Sequence, residues 1–259
     1  MKISGTREWA VATVNCCDGC PHNCRYCYAH YDAVVHKKMS QAEWLAGRVN
    51  QEMVSQPQPL YPGQVMFPSH HDITVDNLSA CLVVLEKLLA AGNRVLIVTK
   101  PSLVCVEALC DRFRNFQDKI IFRFTITAAN DSLLRFWEPG APSYQERRKA
   151  LQYAQLHGFQ TSVSVEPMLD SEHLVAMIDD LEPYVSHSIW LGKMNKIQRR
   201  VVCDSPEVKE EVELIVAAQS DQRILELYDR LKINRLIRWK ESIKRVVGLK
   251  LVGEAGLDV

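Results

Sequence analysis

No stretch of this chain approaches the ~18 uncharged apolar residues of a membrane span. The N-terminus, Met1-Lys2-Ile3-Ser4-Gly5-Thr6-Arg7-Glu8, carries charges where a signal peptide would hold its apolar run. A secreted or membrane protein is therefore not expected, and a cytoplasmic one is. Neither sign of charge is in excess, since 31 basic residues face 31 acidic ones. That balance argues against a basic nucleic-acid coat and against an acidic tail. Internal repeats and low-complexity tracts are missing as well. No candidate strand leads into a phosphate-loop or dinucleotide-binding glycine pattern, which weakens the case for an open nucleotide-binding sheet.

What remains is a chain of 259 residues, 47% hydrophobic and 24% charged, large enough for a sizeable core. From Trp9 to Gly192 one rhythm repeats: a β-branched run, a polar loop, an amphipathic stretch. It predicts strands over 9–14, 64–67, 94–99, 120–127, 159–165 and 186–191, and helices over 41–55, 75–91, 102–115, 144–157 and 171–181. Ser143-Tyr144-Gln145-Glu146 reads as a capping box for the fourth helix. Strands alternating with helices imply an α/β fold with parallel pairing and right-handed crossovers. Strand four would place Phe122, Phe124 and Ile126 on one face and Arg123 and Thr125 on the other; strand five opposes Val163 and Val165 to Ser162, Ser164 and Glu166. A filled barrel packs bulky aliphatics inside. The polar faces here favour a partial (β/α)6 barrel of parallel strands with a hydrated lumen.

Residues 1–200 are read as that barrel and 201–259 as a mostly helical C-terminal extension packed on it. One long helix is expected over 206–232, then a short run Leu236-Ile237-Arg238-Trp239. Trp239-Lys240 could cover the barrel mouth. Arg230, Lys232, Arg235, Arg238, Lys240, Lys244, Arg245 and Lys250 make this tail basic, either a solvated face or a phosphate-contacting patch.

There are nine cysteines, an odd number that argues against a complete disulfide framework. Cys81, Cys105, Cys110 and Cys203 are scattered among apolar neighbours and read as small buried hydrophobes. Cys16, Cys17, Cys20, Cys24 and Cys27 crowd into one segment directly after the first strand. Cys20-Pro21-His22-Asn23-Cys24-Arg25-Tyr26-Cys27 can wrap three thiolates around three irons of a [4Fe–4S] cube, leaving the fourth iron open to a small chelating molecule. Two alternatives stand beside this. Cys17-x2-Cys20-x3-Cys24-x2-Cys27 could hold tetrahedral zinc in a binding module, although its central gap is short for a zinc ribbon. A four-cysteine electron-transfer cluster would lack the usual cysteine-proline step. Cys16 and Cys17 otherwise read as loop packing.

The spacing, with Tyr26 before the third cysteine, resembles the signature of the radical S-adenosylmethionine superfamily. Cys20-Pro-His-Asn-Cys-Arg-Tyr-Cys-Tyr-Ala29 is most similar to the branch that includes spore photoproduct lyase. The resemblance covers residues 9–195 and implies a partial barrel with the cluster loop after strand one. It implies a metal centre of Cys20, Cys24 and Cys27 and two cofactors, a [4Fe–4S] cluster and S-adenosylmethionine. Reductive cleavage of the second at the first would give a 5′-deoxyadenosyl radical that abstracts hydrogen from a polar substrate. A reductant protein such as flavodoxin or ferredoxin is implied as partner. Lys100, ending Ile97-Val98-Thr99-Lys100, looks like the lysine that meets the methionine carboxylate, and Thr127 like the hydroxyl residue at the bound cofactor.

The superfamily's Gly-Gly-Glu stretch is replaced by Pro68-Ser69-His70-His71-Asp72, so Ser69 or Asp72 would hold the methionine ammonium. No cysteine lies between Cys27 and Cys81, where the lyase carries its hydrogen-donating thiol, which argues against lesion repair. Barrels gather reactive groups at the carboxyl ends of strands. Glu166, Lys193 and Asn195 stand there as candidate catalytic residues. With Arg123, Thr125, Ser162 and Ser164 in the lumen, the expected substrate is polar, with a nucleotide or nucleic acid as first choice.

Overall fold

The computed structural model describes residues 3–36 and 38–258, so the outer limits of the two segments, 1 and 259, lie outside the described residues. Nine strands occur among them: β1 (Ala12–Thr13), β2 (Cys17–Asp18), β3 (Arg48–Val49), β4 (Val65–Phe67), β5 (Val95–Thr99), β6 (Ile120–Thr125), β7 (Gln160–Val165), β8 (Ser188–Leu191) and β9 (Ile237–Trp239). Seven form one sheet in the order β1-β4-β5-β6-β7-β8-β9, every neighbouring pair parallel. β2 and β3 make a separate antiparallel ribbon. The helices are α1 (Tyr28–His30), α2 (Gln41–Ala46), α3 (Gln51–Ser55), α4 (Leu78–Ala90), α5 (Leu103–Arg112), α6 (Asp131–Trp137), α7 (Tyr144–Leu156), α8 (Leu174–Leu181), α9 (Ile197–Arg200), α10 (Pro206–Ala218), α11 (Asp221–Leu231) and α12 (Glu241–Val247).

The α/β partial barrel is as the rhythm implied. Phe122, Phe124, Ile126, Val163 and Val165 are fully buried in the main core together with apolar faces of the covering helices, such as Val84, Leu85 and Leu88 of α4. The predicted helix over 41–55 breaks at Gly47, because Arg48–Val49 pairs with Cys17–Asp18 instead. The long helix over 206–232 is two helices. Gln219 turns its amide inward, accepting from Met194 N at 2.7 Å and donating to Met168 O at 2.6 Å, which stops α10. Ser143 caps α7 as expected, but the Glu146 carboxylate reaches across to accept from Leu103 N at the start of α5.

Two differences bear on function. The C-terminal segment is not only helical: Ile237 and Trp239 are buried around exposed Arg238, the period-two pattern of a strand, and β9 extends the sheet beyond β8. The inner face is not hydrated at the depth of Arg123. That side chain is fully buried, 4.5 Å from the Trp9 ring and 5.1 Å from the Trp190 ring, with Nε donating to Ser162 Oγ at 3.0 Å. Met66, Leu96 and Ile121 pack with the two tryptophans. Aromatic faces replace water around the guanidinium, and burial pushes its pKa down to about 9.

The edge strands β1 and β9 are bridged by chain termini. The short helical turn Gly5–Glu8 meets the start of α12, where Glu241 N donates to Glu8, and residue 258 returns to pair its amide with Glu8 O. Lys240 points into this seam and is 1% exposed, 2.9 Å from Glu8, 3.4 Å from Glu166 and 3.7 Å from the Trp9 ring. It neither covers the mouth nor belongs to a basic surface. Lys244 pairs with Asp258, Arg245 with Glu241 and Lys232 with Asp229, so much of the basic run is matched within the chain.

Candidate active site

The cysteine loop lies against residues that follow β4, β5 and β6, which puts it over the carboxyl ends of the strands. Its path needs close backbone approaches. Gly140 N donates to His22 O at 3.0 Å, and a Cβ on Gly140 would sit 2.2 Å from Pro21 O. Cys20 N is fixed by Trp44 O at 2.8 Å and Arg25 N by Trp137 O at 2.9 Å.

The three thiols have only weak partners. Cys20 Sγ is 4.0 Å from Asp72, Cys24 Sγ is 4.0 Å from His22 O, and Cys27 Sγ accepts from His30 N at 3.4 Å. Cys20 and Cys24 are 7% exposed and Cys27 is half-buried. Burial pushes all three thiols up, Cys20 to about 12, while the Lys100 cation counters it at each. Buried thiols without strong hydrogen bonds, sharing one lysine's field, suit a metal cluster that exchanges their protons for metal–sulfur bonds. Cys17 is turned elsewhere: its thiol groups with Cys16 and His71, whereas Cys20 groups with His22 and Asp72. This separation disfavours four-cysteine zinc or cluster arrangements that use Cys17.

Asp72 is the hub of the surroundings. Its Oδ1 accepts from Thr99 Oγ1 at 2.8 Å and Lys100 N at 2.6 Å; its Oδ2 faces His22 Nδ1 at 2.8 Å and Lys100 Nζ at 3.6 Å. Burial alone would raise this carboxyl, but Lys100 and His22 hold it well below the usual range. Burial would lower Lys100, and Asp72 reverses that strongly. Ser69 is next to this group but occupied by Asn15: its amide donates to Asn15 Oδ1 at 2.7 Å, and its carbonyl accepts from Tyr28 OH at 2.7 Å.

A second buried network lies beside the first. Tyr26 OH donates to Glu138, Thr127 Oγ1 donates to the same carboxylate at 2.8 Å, and Arg147 pairs with it. Arg147 also donates to Pro142 O and Thr125 O, so each of its three guanidinium nitrogens has a partner. Burial raises Glu138, yet Arg147, Lys100 and Tyr26 together hold it below its ordinary value. The Lys100 ammonium lies 5.8 Å from the Tyr26 ring centre and joins the two networks.

Cys20, Cys24, Cys27, Tyr26, Asp72, Lys100 and Thr127 are therefore brought together. Glu166 lies farther round the sheet, paired with Lys240 across Gly192, where a Cβ would come within 2.9 Å of both side chains. Lys193 pairs with Asp221 at 3.2 Å, and Asn195 is half-buried in the loop after β8. Sequence reasoning missed His22, Glu138 and Arg147 as functional neighbours. His22 was visible as a histidine inside the cysteine motif, but Glu138 and Arg147 meet only through the packing of α6 and α7.

No family model matches the chain, and no curated protein matches it in sequence. Solved structures do share its fold. A spore photoproduct lyase mutant with dinucleoside spore photoproduct aligns at a TM-score of 0.55 and 16% identity, over 88% of this chain and 75% of that one. SuiB of Streptococcus suis bound to S-adenosylmethionine aligns at 0.53 and 8% identity, over 95% of this chain but only 54% of its own. The likeness carried by the cysteine loop thus extends to the fold.

Proposed function

We propose that this chain is a radical S-adenosylmethionine enzyme whose [4Fe–4S] cluster is held by Cys20, Cys24 and Cys27. The observation that carries the reading is the convergence of three weakly partnered thiols on Lys100 and Asp72 at the carboxyl ends of parallel strands. When bound, the two cofactors supply reductive sulfonium cleavage and a 5′-deoxyadenosyl radical that takes hydrogen from the substrate. The Lys100 ammonium, 3.6 Å from Asp72, is held loosely enough to pair with the methionine carboxylate. Asp72 Oδ2, next to that lysine, faces the methionine ammonium, with Ser69 beside it. Thr127 and Tyr26, fixed by Glu138, form the wall against the rest of the cofactor. Lys193 and Asn195 take the substrate or the ribose, while Glu166, engaged by Lys240 at 3.4 Å, belongs to the seam. Aromatic packing below the mouth excludes water from the radical's surroundings.

The substrate in this reading is polar and carries a nucleotide. The dinucleoside held by the spore photoproduct lyase structure supports it, as do Arg199 and Arg200, which lean over Tyr31 and Tyr28 beside the cysteine loop. Flavodoxin or ferredoxin supplies the electron. Among the described residues no helix is long and apolar enough to cross a membrane.

Anaerobic reconstitution tests the cofactor reading. About four irons per chain and a brown chromophore are expected, with an electron paramagnetic resonance signal that changes on adding S-adenosylmethionine. A colourless chain with one zinc overturns it, and an iron–sulfur signal indifferent to S-adenosylmethionine leaves an electron carrier. For the substrate, affinity for DNA or RNA is expected to fall steeply between about 50 and 200 mM salt. No binding at the low end would discard nucleic acid and leave a single nucleotide.

A further inference from the structure

Cys16, Cys17, His71 and Cys81 are not used by the reading above, yet they form a compact group of their own. Cys16 Sγ lies 3.8 Å from Cys17 Sγ, 3.9 Å from His71 Nε2 and 3.6 Å from Cys81 Sγ. The donor atoms of Cys16, Cys17 and His71 all fall within 4.8 Å of one another. All four residues are buried, at 0%, 5%, 6% and 0% exposure. Around a tetrahedral zinc with bonds of about 2.0–2.3 Å, ligand atoms are separated by about 3.5–3.8 Å. The spacings around Cys16 have that scale; Cys81 lies 3.6 Å from Cys16 but outside the 4.8 Å group, so it joins as a donor only by moving inward.

The histidine is prepared for such a role. Its Nδ1–H donates to the Asp72 carbonyl at 3.0 Å, which leaves Nε2 as the lone-pair nitrogen facing the thiols. That lone pair now accepts the Cys16 amide at 3.2 Å, a neutral bond that a metal–nitrogen bond would replace. The Cys81 thiol is oriented by Asn77 Oδ1 at 3.4 Å.

We propose that Cys16, Cys17 and His71, with Cys81 as fourth donor, form a second, mononuclear site for a thiophilic divalent cation of the Zn2+ type. Each thiol that binds gives its proton to water. The bound cation ties together three segments: the chain entering the cysteine loop, the loop carrying Asp72, and α4. It thereby fixes the two sides of the candidate active site without taking part in its chemistry. The proposal uses none of Cys20, Cys24 and Cys27, so it stands whether or not those hold an iron–sulfur cluster.

The test is an anaerobic titration of the full, iron-free chain with Co2+ alone, which gives visible bands when bound by thiolates in a tetrahedron. The chain with Cys20, Cys24 and Cys27 all replaced by Ser is expected to retain one equivalent and those bands, and its melting temperature should rise with Co2+. Cys17→Ser and Cys16→Ser in the otherwise unaltered chain should each bind one equivalent less than the unaltered protein. If the triple variant does not fold, the last comparison decides alone. Equal stoichiometry in the unaltered chain, Cys16→Ser and Cys17→Ser overturns the proposal, as does a folded triple variant that takes up no Co2+.

Discussion

The seam between the edge strands and the mouth under the cysteine loop both bury charge, and they do so to different ends. In the seam, Lys240 is shared by Glu8 and Glu166 and lies against the Trp9 ring, and Arg123 is enclosed by Trp9 and Trp190. Lys240 is matched by carboxylates and a carbonyl of the chain itself, whereas Arg123 has one hydrogen bond, from Nε to Ser162, and aromatic faces over its other nitrogens. At the mouth, Glu138 is held by Tyr26, Thr127 and Arg147, but Lys100 stands 3.6 Å from the Asp72 carboxylate among thiols with contacts no closer than 3.4 Å. A closed ionic set holds the fold, whereas an incompletely partnered one is arranged to receive something. In the proposed reading the seam is structural and the mouth is the receptor.

Four substitutions and conditions put that contrast to the test. The largest effect is expected from Cys20→Ala, Cys24→Ala or Cys27→Ala, each of which should abolish the visible absorption of the reconstituted cluster. Cys203→Ala, at an exposed position, should leave it intact. A full cluster in Cys24→Ala would move the metal centre elsewhere.

Lys240→Met tests the seam. It leaves the Glu8 carboxylate, 1% exposed, without its cation, and breaking a buried pair this way costs about 3–5 kcal/mol. Chemical denaturation should show that loss, with iron content per folded chain unchanged. A loss of S-adenosylmethionine affinity in the folded variant would make the seam part of the receptor.

Lys100→Ala is the converse. S-adenosylmethionine binding should weaken by about 1.5–3 kcal/mol, the scale of hydrogen bonds to charged groups. Iron content should stay near normal, because Asp72 keeps His22, Thr99 and the backbone amide at position 100. Unchanged affinity by calorimetry would return Lys100 to a structural partner of Asp72.

The smallest effect concerns pH. Glu138 is raised by burial but held below its ordinary value by Arg147, Lys100 and Tyr26. Its folded pKa thus lies below the unfolded value of about 4.3. The stabilisation is whole above that pH and is lost as pH falls through the folded value. Glu138→Gln should flatten the acid side of the stability curve; an unchanged slope would contradict the assignment.

The partial barrel was legible because strand and helix periods alternate so regularly before Gly192. β9 was harder to read: three residues with one buried on each side of Arg238 carry too little pattern to separate a strand from a tail. The cysteine spacing announced the mouth, and Lys100, Asp72 and Thr127 could be placed near it because each follows a strand. Glu138, Arg147 and Lys240 were illegible for one shared reason. A charged residue in sequence reads as solvated, and only tertiary packing reveals the partner that permits its burial. The hydrated lumen failed likewise, since alternation on β6 and β7 identifies a polar face without showing that Trp9 and Trp190 cover it.

The most direct measurement is the yield of 5′-deoxyadenosine when the reconstituted chain is reduced with dithionite in the presence of S-adenosylmethionine. The account predicts time-dependent 5′-deoxyadenosine from the unaltered protein and none from Cys24→Ala. A cluster-loaded, reducible protein that forms no 5′-deoxyadenosine would contradict it.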